Sequence, residues 1–129
     1  VFRYKDLKSW WSNPHHNRPG GNRDVSPTSW VPQSKPIRFT EFGCAAIDKG
    51  TNQPNVFVDA KSSEGFVPYH STGGRDDFIQ YRYFQAHLNH WSKPESNPVS
   101  VLYNQPMVDM SHAYIWADCG SFRFFECGC

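Results

Sequence analysis

Residues 35–55 read KPIRFTEFGCAAIDKGTNQPN, and the hexapeptide Ile37–Phe42 inside them is a short strand signal. Pro36 leads into it and Gly43 closes it. Strict alternation puts Ile37, Phe39 and Glu41 on one face and Arg38, Thr40 and Phe42 on the other. The residues beyond, Gly43, Asp48, Gly50, Asn52 and Pro54, are loop formers. Glu41 is therefore expected to end a buried strand where it hands over to a long polar loop, and in open parallel α/β sheets ligands bind at that end. The competing reading of Glu41 is a structural ion pair with Arg38 or Arg75.

Upstream, residues 1–11 form a helix end, with Phe2, Leu7, Trp10 and Trp11 sharing a broad apolar face until Asn13 and Pro14 stop it. Residues 15–36 carry four prolines and two glycines and read as a long loop. His15 and His16 lie in it without a second ligand cluster at metal spacing, which makes them loop histidines rather than ligands. After the strand, residues 43–74 show no strong periodicity, and a loop of that length lines a site or an interface more often than it merely connects. Within it Asp48, Lys49 and Gly50 read as a turn with a surface ion pair; the alternative is that Asp48, Asn52 and Gln53 supply hydrogen bonds to a hydroxyl-rich ligand.

The clearest helix is FIQYRYFQAHLNHW after Arg75, Asp76 and Asp77, with Asp76 as N-cap and Asp77 favoured in the first turn by the helix dipole. Ile79, Tyr83, Ala86 and His90 repeat on one side, while Phe84, Leu88 and Trp91 make a second apolar patch, so the helix is expected to be covered on two faces. His87 and His90 have metal-like spacing but no Glu or Cys companion, and no metal is assigned. Short strand signals follow at 99–103, 107–109 and 112–117, the last with Ala113, Ile115 and Ala117 alternating against Tyr114 and Trp116.

Bulk properties narrow the function. A formal charge of +1, from 13 Lys and Arg against 12 Asp and Glu, leaves no basic stripe for direct nucleic-acid contact. Apolar runs are too short for a membrane span, and the N-terminus lacks the apolar core of a signal peptide, so the chain reads as soluble. Aromatic residues make up 16 %, five of them Trp, a stock that serves either a core or stacking on sugars. No phosphate loop, dinucleotide fingerprint or nucleophile elbow occurs, and no cofactor is implied.

The run KPIRFTEFGCAAIDKGTNQPNVFVDAKSSEG, residues 35–65, resembles the TIM-barrel-like, glycoside-hydrolase-like domain of the large tail-hub protein of gene transfer agents and related tailed phages of alphaproteobacteria. The resemblance extends upstream through WWSNP (Trp10 to Pro14) and Arg18 to Gly21, and downstream through Arg75, Asp76 and Asp77 to about Asp118. Ala45 and Ala60 stand where that family has prolines and Gly65 where it has a serine; none of these touches Glu41. A complete (β/α)8 barrel needs about 250 residues. The resemblance therefore implies that these 129 residues, which start at Val1 without an initiator Met, are the C-terminal portion of a TIM-barrel-like α/β domain, roughly its last two or three strand units.

The same resemblance implies chemistry. Glycosidic hydrolysis usually takes two carboxyl groups, about 5–5.5 Å apart in retaining enzymes and wider in inverting ones. The resemblance assigns the nucleophile's role to Glu41 and leaves the partner acid upstream of Val1. If the barrel closes in order, Trp116 and Asp118 end the strand beside that of Glu41, and Trp116 can floor a sugar subsite, with Asp48 and Asn52 as further substrate contacts. Cell-envelope polysaccharide and other tail or baseplate proteins are the implied partners, and a phage-like particle tail, assembled in the cytoplasm, is the implied location. A non-catalytic structural or glycan-binding tail module, or an inactive gene remnant, is the alternative. Residues 1–118 are assigned to the partial barrel. Residues 119–129, with three of the four cysteines, depart from the family and read as a frameshifted or truncated tail.

Overall fold

The structure is a computed structural model that describes residues 4–59 and 61–116. Its elements are helix α1 (Leu7–Ser12), strand β1 (Ile37–Phe42), helix α2 (Asp77–Trp91) and strand β2 (Val108–Ile115), with single 3-10 turns at Pro19–Gly21 and Gly50–Asn52. The result is an α/β arrangement in which α2 connects two paired strands. They run parallel, because Ile37 N–H donates to the Met107 carbonyl (2.7 Å) where they begin and Trp116 N–H to that of Phe42 (2.8 Å) where they end. β1 has six residues and β2 eight over that pairing, so β2 carries a local irregularity of the kind a bulge produces. Among the described residues no closed barrel forms. No helix among them is long and apolar enough to cross a membrane.

Two compact units divide the chain. The first comprises Val1–Arg38 and His90–Ser111, the second Phe39–Asn89 and His112–Cys129. In the first unit, α1 starts at Leu7, because Asp6 is extended and its carboxylate accepts the Ser9 N–H at 2.7 Å, a side-chain N-cap that fixes the first turn. The helix of residues 1–11 is thus shortened at its start, with residues 1–3 outside the described set. Asn13 closes the other end by donating to the Ser9 carbonyl. The core here is Trp11, Met107 and Val108, with buried Ser100 and Asn97 serving as polar staples. Asn97 accepts from Val108 N–H (2.7 Å) and donates to the carbonyls of Val108 and Trp91 (3.1 and 3.0 Å), tying the end of α2 to the start of β2.

The strand expected at 99–103 is instead a turn. Ser100 Oγ donates to the Gln33 carbonyl and accepts from the N–H groups of Leu102 and Tyr103, which folds the backbone back on itself. Asn104 completes the reversal with φ of 55°, a left-handed conformation that asparagine tolerates. The two short signals at 107–109 and 112–117 merge into β2.

In the second unit, α2 is capped as the sequence suggests, with Ile79 N–H on Asp76 Oδ1 at 3.0 Å. Its inward face differs from the expected ones. Gln80 is the buried residue, its amide donating to the Cys44 carbonyl, and Tyr83, Phe84 and His87 extend that face at helical spacing. Phe78, Tyr81 and Leu88 remain exposed. A polar residue sits at the centre because it satisfies a buried carbonyl, which apolar periodicity does not register.

Candidate functional site

β1 positions Glu41 by where its neighbours go. Phe39 and Phe42 both meet the His87 ring of α2, at centroid separations of 6.5 and 5.3 Å, and Phe42 also packs edge-on to Phe84 at 5.9 Å. Thr40 and Glu41 between them are both exposed. Burial alternates from Ile37 to Thr40 and then breaks, leaving Glu41 exposed beside half-buried Phe42. The strand itself is half-buried at most, not buried as expected.

The ion-pair reading of Glu41 is not realised. Arg38 Nε pairs with Asp109 at 3.2 Å and Arg75 with Asp77 at 2.8 Å. Among the described residues no side-chain hydrogen bond or ion pair reaches the Glu41 carboxylate. The Arg75 pair shifts both partners, Asp77 downward and Arg75 upward, through a bidentate hydrogen bond and its charge.

Gly43 follows at the close of the strand, and a Cβ there would collide with the Trp116 carbonyl, so glycine permits the approach of the two chain segments. Trp116 consequently lies at the end of β2 against the end of β1, its ring half-buried against Phe57 at 4.4 Å. Parallel register at this end also puts Tyr114 across from Glu41, both exposed. Tyr114 was visible in the alternation of residues 112–117, but only the pairing register singles it out.

Asp48 forms the surface ion pair with Lys49 that is one of its two readings, and both Asp48 and Asn52 bond within their own loop. The Asp48 carboxylate accepts the Thr72 N–H and hydroxyl at 2.8 and 3.0 Å and the Lys49 ammonium at 2.9 Å. Asn52 donates to the Tyr69 carbonyl, and Gln53 accepts the Tyr69 N–H. These side chains clasp the two arms of the loop 43–74 to each other. The hydrogen bond from Lys49, then that from Thr72, holds the Asp48 carboxyl below the usual carboxylate range. Asp118 lies outside the described residues, as do the tail and its three cysteines.

Cys44 is fully buried, and that burial pushes its thiol up to about 11, so it is a core residue with no reactive thiolate at neutral pH. His87 is enclosed by Phe39, Phe42 and Tyr83, and His90 packs on Trp91. Among the described residues no group of three or more His, Cys, Asp or Glu side chains is placed to hold a metal ion.

No curated protein matches the chain. The family profile described as the GTA TIM-barrel-like domain matches residues 1–125, nearly the whole length. With a parallel strand pair, a connecting helix and an acid at the end of the first strand already in place, the chain belongs to that family, the TIM-barrel-like domain of gene transfer agents.

Proposed function

We propose that the chain is part of a glycosidase-like barrel in the tail hub of a gene-transfer-agent particle, acting on cell-envelope polysaccharide while DNA is delivered. The observation that carries this reading is the state of Glu41: exposed at the C-terminal end of a parallel strand, with Arg38 and Arg75 both engaged elsewhere. In a (β/α)8 barrel the helices cover the outside and the strand ends bear the reacting groups. Glu41 is the nucleophile in this proposal, Trp116 a wall of the sugar subsite, and the acid/base partner comes from another strand of the complete barrel. The sheet has two strands among the described residues, and Phe78, Tyr81 and Leu88 of α2 are exposed, as expected if further barrel units pack there.

The test is release of reducing sugar from host envelopes by the complete domain, compared with its Glu41→Gln variant. The variant is expected to fall to background while folding normally. Undiminished release would remove Glu41 from the mechanism. A second reading, a glycan-binding or structural tail module without turnover, is favoured by one observation: Asp48 and Asn52 are occupied in holding their own loop. Saccharide retention with no product on long incubation would select it.

A further inference from the structure

The first unit contains a ring cluster that the Glu41 site does not use. α1 sends its two adjacent tryptophans to opposite fates: Trp11 is 1 % exposed with its indole N–H on the Lys35 carbonyl, whereas Trp10 is 42 % exposed. Trp10 meets His15 at 4.6 Å and Trp30 at 5.0 Å, and His15 lies flat on Trp30, with 9° between the ring planes at 5.2 Å. Tyr4, 39 % exposed, adds a tilted ring at 6.3 Å from His15. The rings are held before any ligand arrives. His15 Nε2 is 2.7 Å from the Trp10 carbonyl, and Thr28 N–H donates to the His15 carbonyl at 2.7 Å.

We propose that Tyr4, Trp10, His15 and Trp30 form a second saccharide contact, a stacking platform for a neutral pyranose chain. The proposal rests on the polysaccharide reading above and extends it to residues outside the Glu41 site. Four features support it. A cluster that only closed the loop would gain by burying Trp10 as completely as Trp11. The exposed partners are aromatic, and an aromatic face, negative at its centre, attracts the weakly positive C–H face of a sugar ring. The indole Nε1 of Trp30 is buried with no acceptor among the described residues, a donor that a small adjustment would offer to a ligand oxygen. Hydroxyl-binding groups are at hand, since residues 17–24 close into a turn through Asp24 N–H on the Asn17 carbonyl and expose Asn17, Asn22 and Arg23.

The experiment is tryptophan fluorescence and calorimetric titration of the 129-residue chain with cellohexaose, chitohexaose and maltohexaose, using wild type, Trp10→Ala, Trp10→Tyr and Tyr4→Ala. At least one oligosaccharide is expected to bind. Trp10→Ala should weaken it on the order of tenfold, with Trp10→Tyr, which keeps a ring, in between. If Trp10→Ala fails to fold by circular dichroism, Tyr4→Ala carries the same expectation of weakened binding. Binding by none of the three sugars, or binding unchanged in the folded ring variants, overturns the platform. Binding that depends on Trp10 in a complete domain that releases no product keeps the platform and discards the hydrolase. Product release unaffected by Trp10→Ala does the reverse.

Discussion

Two long loops, residues 13–36 in the first unit and 43–74 in the second, meet the same requirement with different chemistry. Each runs for more than twenty residues with a single 3-10 turn as the one regular element among its described residues, so each needs something to offset the entropy of ordering it. The first is held largely by rings and buried area, with Trp11 beneath it and Trp10, His15 and Trp30 beside it. The second is held by carboxylate, amide and hydroxyl groups, with Asp48, Asn52 and Gln53 gripping residues 69–72, and by the Ile47–Arg75 bridge at its base. Burial makes the first loop sensitive to lost volume, whereas polar clasps make the second sensitive to charge state.

The largest effect should come from removing the ring that the first loop rests on. Trp11→Ala deletes a fully buried indole, its hydrogen bond to the Lys35 carbonyl (2.8 Å) and its edge contact with Tyr103. Truncations of this kind cost about 3–5 kcal/mol. A urea melt should show that loss, and a cost under about 1 kcal/mol would mean that burial is not what holds the loop. A smaller loss is expected in the second unit from Gln80→Ala. That change strands the buried Cys44 carbonyl, for a penalty of about 1–3 kcal/mol. If Gln80→Ala proves the more damaging of the two, burial of the Trp11 ring is not the stronger of the two tethers.

The contrast also explains what could be read from residues alone. Ile37–Phe42 was legible as a strand to its ends, because Pro36 and Gly43 bracket it. The Asp76 cap was legible because a carboxylate before a helical run has one favourable local partner. Three features depended on distant groups. Gln80 is buried for the sake of a carbonyl 36 positions away. Ser100 turns the expected strand by bonding Gln33, 67 positions away. The break in the burial pattern of β1 at Glu41 goes with Phe39 and Phe42 both meeting α2. Glu41 and Trp116 were nameable from the chain, whereas the use of Asp48 and Asn52 as clasps required knowing that residues 69–72 return to them.

The smallest effect tests the second loop by its charge. The Asp48 carboxyl is held low by the Lys49 ammonium first and the Thr72 N–H next, so its folded value lies below its unfolded one, about 3.9. A depressed acid contributes stability that is fully present above the unfolded value and is lost as pH falls through the folded one. The clasp should therefore be indifferent to pH from neutrality down to about 4 and open only below that. Because the group is exposed, solvent and salt screen the effect, and local opening rather than global unfolding is expected. The Thr72 amide, 2.8 Å from Asp48 Oδ2, is the reporter: its NMR shift should titrate with a midpoint below the ordinary carboxylate value. Asp48→Asn should flatten that curve while leaving the Ile79 amide, capped independently by Asp76, unmoved. A Thr72 midpoint at or above the ordinary value would mean that the carboxylate does not hold the loop, and that Asp48 is free for the ligand role the sequence first suggested.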